Sequence, residues 1–260
     1  FTEPVKTLVD FTEQFQNGYS GFERFMEILN IEPDIKDSES AKAYDDIAGD
    51  VEFDNVCFGY NDGTDVLKNV SFKTTAGFYT ALVGPSGAGK STLCSLIPRF
   101  YDATSGEVIV NGNNVKDIKL KSLREHVGIV LQKALLFKGS IRENIKWGKK
   151  DATDSEIMEA LDIAQAREFV DKKDGKLDSF VDQGGKNLSG GQRQRLTIAR
   201  AVVKKPDILI LDDSASALDY ATDAALRKSI RHMKNHPTVF IVSQRAASLM
   251  YADKIIVLED

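Results

Sequence analysis

The sequence predicts an α/β protein, a mostly parallel sheet with flanking helices. Short, near-continuous apolar runs, "VGIVL", "DILIL", "TVFIV" and "KIIVL", suit strands covered on both faces. Helical patterns lie between several of these runs, the alternation that parallel strands need for their crossovers. A glycine-rich stretch, "GPSGAGKS", stands between strand-like "YTALV" and helix-like "STLCSLI".

In chain order, residues 1–32 read as a helical extension. Leu8, Thr12, Phe15, Tyr19, Phe22, Met26 and Leu29 recur at alternating steps of four and three, a near-heptad stripe. Gly18 and Gly21 weaken that helix, and Pro33 is expected to end it. The stripe suits either a helix lying on the domain or one packed against a neighbouring helix. Residues 33–49 are acidic, rich in small residues and aperiodic, hence a linker. Residues 50–260 form the main domain. Within it "VEFDNVCFGY" alternates as a strand should, and "FYTALVG" is rich in strand formers. "TDSE" (Thr153 to Glu156) and "SGGQ" (Ser189 to Gln192) are capping boxes that open helices, the second of which Pro206 stops. The chain opens on Phe1 and stops at "KIIVLED", so it reads as a piece of a longer protein.

Composition narrows the function classes. A net charge of -5 over 260 residues argues against a general nucleic-acid binder, whose affinity comes from excess Lys and Arg. Cys57 and Cys94 are too few for a disulfide framework and match no metal-ligand spacing, which suits a reducing compartment. No apolar run is long enough to span a bilayer, and no signal-peptide pattern is present.

The glycine stretch carries the chemistry. "GPSGAGKS" fits G-x-x-x-x-G-K-[ST], so Gly84, Pro85, Ser86, Gly87, Ala88, Gly89, Lys90, Ser91 and Thr92 are expected to cradle a nucleotide's phosphates. Glycines let backbone N–H groups turn inward, and the following helix presents its positive end. Lys90 is expected to reach the β- and γ-phosphates of ATP, and the Ser91 hydroxyl to take one place on Mg²⁺. The plainer alternative is a glycine turn without a ligand. Asp212, at the end of "ILILD", is the expected metal-side carboxylate opposite Ser91, a simple helix N-cap being the alternative. Together these place the fold among the P-loop nucleoside triphosphatases.

A second glycine pair names the family. "LSGGQRQRLTIARA" (from Leu188) resembles the signature sequence of ATP-binding-cassette (ABC) ATPases. With the phosphate loop and the other motifs in the family's order, residues 50–260 resemble the nucleotide-binding domain of an ABC exporter. The resemblance implies an antiparallel β subdomain and an α-helical signature subdomain at about 132–204 beside the P-loop core. It implies that Tyr60 stacks on adenine, and that Gln132 contacts Mg²⁺ or the attacking water. It also implies that "SALD" (Ser216 to Asp219) communicates across a dimer. In this family two domains face head to tail, so Ser189, Gly190, Gly191 and Gln192 would close on the γ-phosphate of a partner domain. Residues 1–32 are similar to the cytoplasmic end of the last membrane helix of half-size exporters. The implied partners are therefore a second nucleotide-binding domain and the chain's own transmembrane domain, at the cytoplasmic face of a membrane, with no nucleic acid.

Two positions depart from the family's pattern. A hydrolysing site normally carries Glu directly after the metal-side carboxylate and His past the next strand; here Asp213 and Gln244 stand there. Asp is shorter by one methylene, roughly 1.5 Å of reach. Errors of about 1 Å cost on the order of 100-fold, and a base out of range forfeits about 10²–10⁴ in rate. Gln244 donates to a phosphate but carries no charge. This pairing is similar to the degenerate half of heterodimeric exporters, which keeps a good signature. The expectation is a site that holds ATP with little turnover and serves a competent partner. The alternatives are a fully active homodimeric exporter domain, a soluble ABC ATPase, and a nucleotide-binding regulatory module.

Overall fold

The computed structural model describes residues 2–60, 65–214, 216–243 and 249–259. The chain divides into two units, residues 1–36 and 37–260.

The first unit is a single helix, α1 (Thr2–Leu29). Phe11, Phe15 and Tyr19, one turn apart, stack in sequence with ring centroids 6.3 Å apart. Thr7 and Thr12 donate their hydroxyls back to the carbonyls of Glu3 and Leu8, which keeps β-branched residues satisfied in a helix. The helix runs through Gly18 and Gly21 and stops four residues short of Pro33. None of its residues is buried.

The second unit begins β1 (Val51–Gly59), β2 (Asp65–Thr74), β3 (Tyr79–Val83), α2 (Lys90–Leu96), β4 (Ser105–Val110), β5 (Asn113–Asn114) and α3 (Leu120–His126). It continues with β6 (Val127–Val130), β7 (Gly139–Ser140), α4 (Ile141–Lys146), α5 (Asp154–Ile163), α6 (Arg167–Asp171), β8 (Phe180–Val181) and α7 (Gly190–Val202). It closes with β9 (Ile208–Asp212), α8 (Tyr220–Arg231), β10 (Thr238–Val242) and β11 (Lys254–Val257). The four apolar runs and "YTALV" form one parallel sheet, ordered β11-β3-β10-β9-β6. Every residue of β9 and β10 is buried, as continuous apolar runs at a sheet's centre require.

An antiparallel sheet, β2-β1-β4-β5, forms a separate layer. Phe53, Val56, Leu67, Val108 and Val110 from it share a core with Leu93, Ile97, Ile210 and Phe240. Truncating a ring so enclosed, as in Phe240→Ala, typically costs about 3–5 kcal/mol. The helices α4 to α7 pack around a second core of Ile141, Ile145, Ile157, Leu161 and Leu196. The boxes at Thr153 and Ser189 form as expected, each cap side chain accepting from the backbone three residues on and receiving the reciprocal bond. A third box, Ser140 with Glu143, opens α4.

The stretch read as a linker is fastened from Asp37 onward. Ala41 and Ile47 are buried, and Lys42 bridges to Ile118. The Tyr44 N–H donates to the Ser122 hydroxyl (2.9 Å), which donates back to the Tyr44 carbonyl (2.6 Å). The Tyr44 hydroxyl reaches Asn113 Oδ1 on β5 at 2.9 Å, and the Leu120 N–H reaches Asp37 at 2.7 Å. Residues 37–49 thus stitch α3 to the antiparallel sheet.

Candidate functional site

β3, β9 and β10 run parallel in register, so Val83, Asp212 and Val242 leave the sheet along one edge. Ligands of open α/β sheets bind beyond this carboxyl edge. The phosphate loop follows β3 there. Gly84 sits at φ 155°, and a side chain on it would meet the Leu258 carbonyl oxygen at 2.4 Å. Gly89 sits at φ 81° with Leu67 Cδ2 2.6 Å from where a Cβ would lie. Only glycine fits either place. Gly89 is also the N-cap of α2 and supplies no side-chain cap, so the first N–H groups of that helix keep their donors for a ligand.

The charged groups converge on a cleft of about 340 Å³ lined by Tyr60, Lys90, Ser91, Gln132, Asp212 and Asp213, among others. The Lys90 ammonium curls back onto the carbonyls of Gly84 (2.9 Å) and Pro85 (2.5 Å). The Ser91 hydroxyl donates to Asp212 Oδ1 at 3.0 Å. Burial raises the Asp212 carboxyl above the usual carboxylate range; the Ser91 hydrogen bond opposes this, Asp213 reinforces it, and Lys90 opposes it. A carboxylate so desolvated gains from a cation beside it.

Asp213 leaves the strand with φ 45°, a left-handed turn that Asp adopts more readily than most residues. Its N–H donates to the Val242 carbonyl (3.0 Å), and its Oδ2 accepts from the Gln132 amide at 3.2 Å. The Tyr60 hydroxyl shares a 3.0 Å hydrogen bond with Thr92 Oγ1, and its ring meets Phe58 and Tyr101 edge-on at 5.0 and 5.5 Å. Sequence reasoning missed Tyr101; nothing in "FYD" marks it as the brace of a ring some forty positions earlier.

The expected site residues fall in two places. Ser86, Gly87, Gly89, Lys90, Ser91 and Thr92 of the phosphate loop share the cleft with Tyr60, Gln132, Asp212 and Asp213, whereas Gly84, Pro85 and Ala88 do not line it. Ser189, Gly190, Gly191 and Gln192 do not line it; they open α7, and Gly190 borders a second hollow of about 440 Å³ with Gln132, Gln194 and Ala217. Gly191 lies against the Ala217 carbonyl of the "SALD" turn, and Asp219 caps α8 through the Thr222 N–H (2.9 Å). Gln244 lies outside the described residues.

A glycine loop between strand and helix, facing a buried strand-end carboxylate, defines a P-loop nucleotide-binding protein. The family model described as "ABC transporter" matches residues 67–216, and the chain belongs to the ABC transporter family. It is similar to the uncharacterized ABC transporter ATP-binding protein YwjA of Bacillus subtilis (strain 168), 41% identical over 98% of this chain and 44% of that protein. It is also similar to an ATP-dependent lipid A-core flippase of Syntrophus aciditrophicus (strain SB), 38% identical over 98% of this chain and 42% of that one. Among solved structures, a bacterial Atm1-family ABC exporter with ATP bound superposes with a TM-score of 0.88 at 34% identity, covering 94% of this chain and 43% of that chain. The chain therefore spans less than half the length of these relatives. It is an ABC-type ATPase domain that binds ATP.

Proposed function

We propose that this chain is the ATP-driven half-engine of an exporter. It binds MgATP in the cleft and pairs head to tail with a second such domain beneath a transmembrane domain on the cytoplasmic face of a membrane. The observation that carries this reading is the division of the site. Lys90, Ser91 and Asp212 share one cleft, while Ser189 to Gln192 open a different helix start outside it. A second domain set head to tail completes both. No helix of the described residues is long and apolar enough to cross a membrane, so the membrane part of the reading rests on the relatives.

The donors suit Mg²⁺. Ser91 Oγ and Asp212 Oδ1 are hard oxygen ligands 3.0 Å apart, and the cleft has room for the waters and phosphates that Mg²⁺ keeps. In this role Asp212 and Ser91 hold the cation, which supplies charge neutralisation at the phosphates. Lys90 binds the terminal phosphates, Tyr60 faces adenine, and Gln132 orients water.

We propose further that the site holds ATP with little turnover, because Asp213 is short and Gln244 cannot charge. The 3.2 Å contact between Asp213 and Gln132 favours a second reading, a fully active homodimeric domain in which Asp213 serves as base. The paired substitution Asp213→Glu with Gln244→His separates the two. The resting-site reading expects hydrolysis at least about tenfold faster than in the native chain. Native turnover that rises with protein concentration and matches the double variant supports the second reading instead.

A further inference from the structure

The segment after Gln132 has no regular structure between Lys133 and Lys138, yet it is held firmly, by a cation from a distant helix. Arg200, in the last turn of α7, donates from Nη1 to the Leu135 carbonyl (3.0 Å), from Nε to the Asn144 carbonyl (2.8 Å) and from Nη2 to Asn144 Oδ1 (2.8 Å). Its guanidinium also lies 5.3 Å above the Phe137 ring. All these hydrogen bonds go to neutral oxygens. Burial, with no acid partner among the described residues, pulls the Arg200 pKa down to about 10. An apolar side chain there would avoid that penalty, so the cation's benefit lies in the carbonyls it satisfies, which irregular backbone cannot satisfy for itself.

Asn144 completes the knot. It is buried; its Oδ1 also accepts from the Phe137 N–H (2.9 Å), and its amide donates to the Phe137 and Ser140 carbonyls (2.8 and 3.0 Å). On the other side, the Gly184 N–H donates to the Leu136 carbonyl at 3.0 Å, and Arg193 donates to the carbonyls of Gly185 (3.3 Å) and Leu188 (2.7 Å). A continuous path therefore runs from α7 through residues 135–137 to Gln132, which borders both hollows and touches Asp213.

We propose that Arg200 is a positioning residue: with Asn144 it fastens the Gln132 loop to the helix that Ser189 opens, so that the two move as one body. This rests on the role proposed for Gln132. Displacement of α7 is then delivered to the amide beside Asp213, with no contact between Arg200 and nucleotide.

The test is amide hydrogen exchange on the native chain and on Arg200→Lys and Arg200→Met, with affinity for a fluorescent ATP analogue measured in parallel. The expected result is that the Phe137 and Gly184 amides exchange at least about tenfold faster in Arg200→Met, with β9 and β10 unchanged. Arg200→Lys recovers part of the protection, and analogue affinity stays within about twofold. Unchanged Phe137 and Gly184 exchange in a folded Arg200→Met overturns the proposal, as does faster exchange spread evenly through β9 and β10. If Arg200→Met does not fold, the native chain in sub-denaturing urea decides. Phe137, Gly184 and the α7 amides opening together supports one body, and Phe137 opening alone while α7 stays protected overturns it. Neither arm needs turnover, so a chain that binds ATP without hydrolysing it leaves the result readable.

Discussion

Two glycine-rich helix starts in this molecule look alike in sequence and differ in physics. α2 begins at Gly89 with no side-chain cap, its donors open toward the cleft. α7 begins at Ser189 inside a closed capping box, where the Gln192 N–H is taken by the Ser189 hydroxyl (3.2 Å) and the Ser189 N–H by Gln192 Oε1 (3.1 Å). The first start leaves its donors to an anion; the second meets two of its donors, those of Ser189 and Gln192, from its own side chains. A helix start with a closed cap of its own can stay folded while a phosphate comes and goes, which suits a motif that serves a partner intermittently.

The sharpest way to break this contrast is at Lys90. Among the described residues its ammonium bonds only to loop carbonyls, and Lys90→Ala is expected to weaken ATP binding about 100-fold. Its unfolding free energy should change by less than about 1 kcal/mol, as titration calorimetry and denaturant melts would show. Comparable losses of stability and affinity would mean that the open start is structural as well.

Ser189→Ala should behave in the opposite sense. Removing the cap is expected to cost about 1 kcal/mol of stability and to leave ATP affinity of the isolated chain unchanged. A drop in that affinity would place α7 in the chain's own site.

The smallest effect is expected at a third start, that of α5, where Glu156 closes the box with Thr153 and bonds Lys149 at 2.6 Å. The Lys149 hydrogen bond, then the Thr153 backbone bond, lower the Glu156 carboxyl to about 2, from 4.5 in the unfolded chain. A depressed acid stabilises the fold above its unfolded pKa, and this contribution fades as pH falls through the folded one. The melting temperatures of the native chain and Glu156→Gln should differ slightly above pH 4.5 and converge toward pH 2. A gap that persists at pH 2 would assign the effect to packing.

What was legible in the sequence was local. The phosphate loop, the two capping boxes and the buried strands are each written in a few consecutive residues. β2 was missed because "DVLKNVSFKT" buries only Leu67 and Thr74, leaving an irregular exposure pattern instead of clean alternation. The box at Ser140 and Glu143 was equally local and simply passed over. The Arg200 knot was illegible for a deeper reason: its partners lie dozens of positions away, and a guanidinium seeking backbone carbonyls leaves no spacing to find. Composition misled at residues 37–49, where an acidic, small-residue stretch hides Ala41 and Ile47, the two apolar anchors that seat it.

That stitched stretch has a practical corollary. The frontier of the folded unit falls at Asp37, where the fastenings begin, and not at Val51, where the first strand does. Anyone trimming the chain to its sheets would discard a suture between α3 and β5, and would be left with a looser object than the native unit.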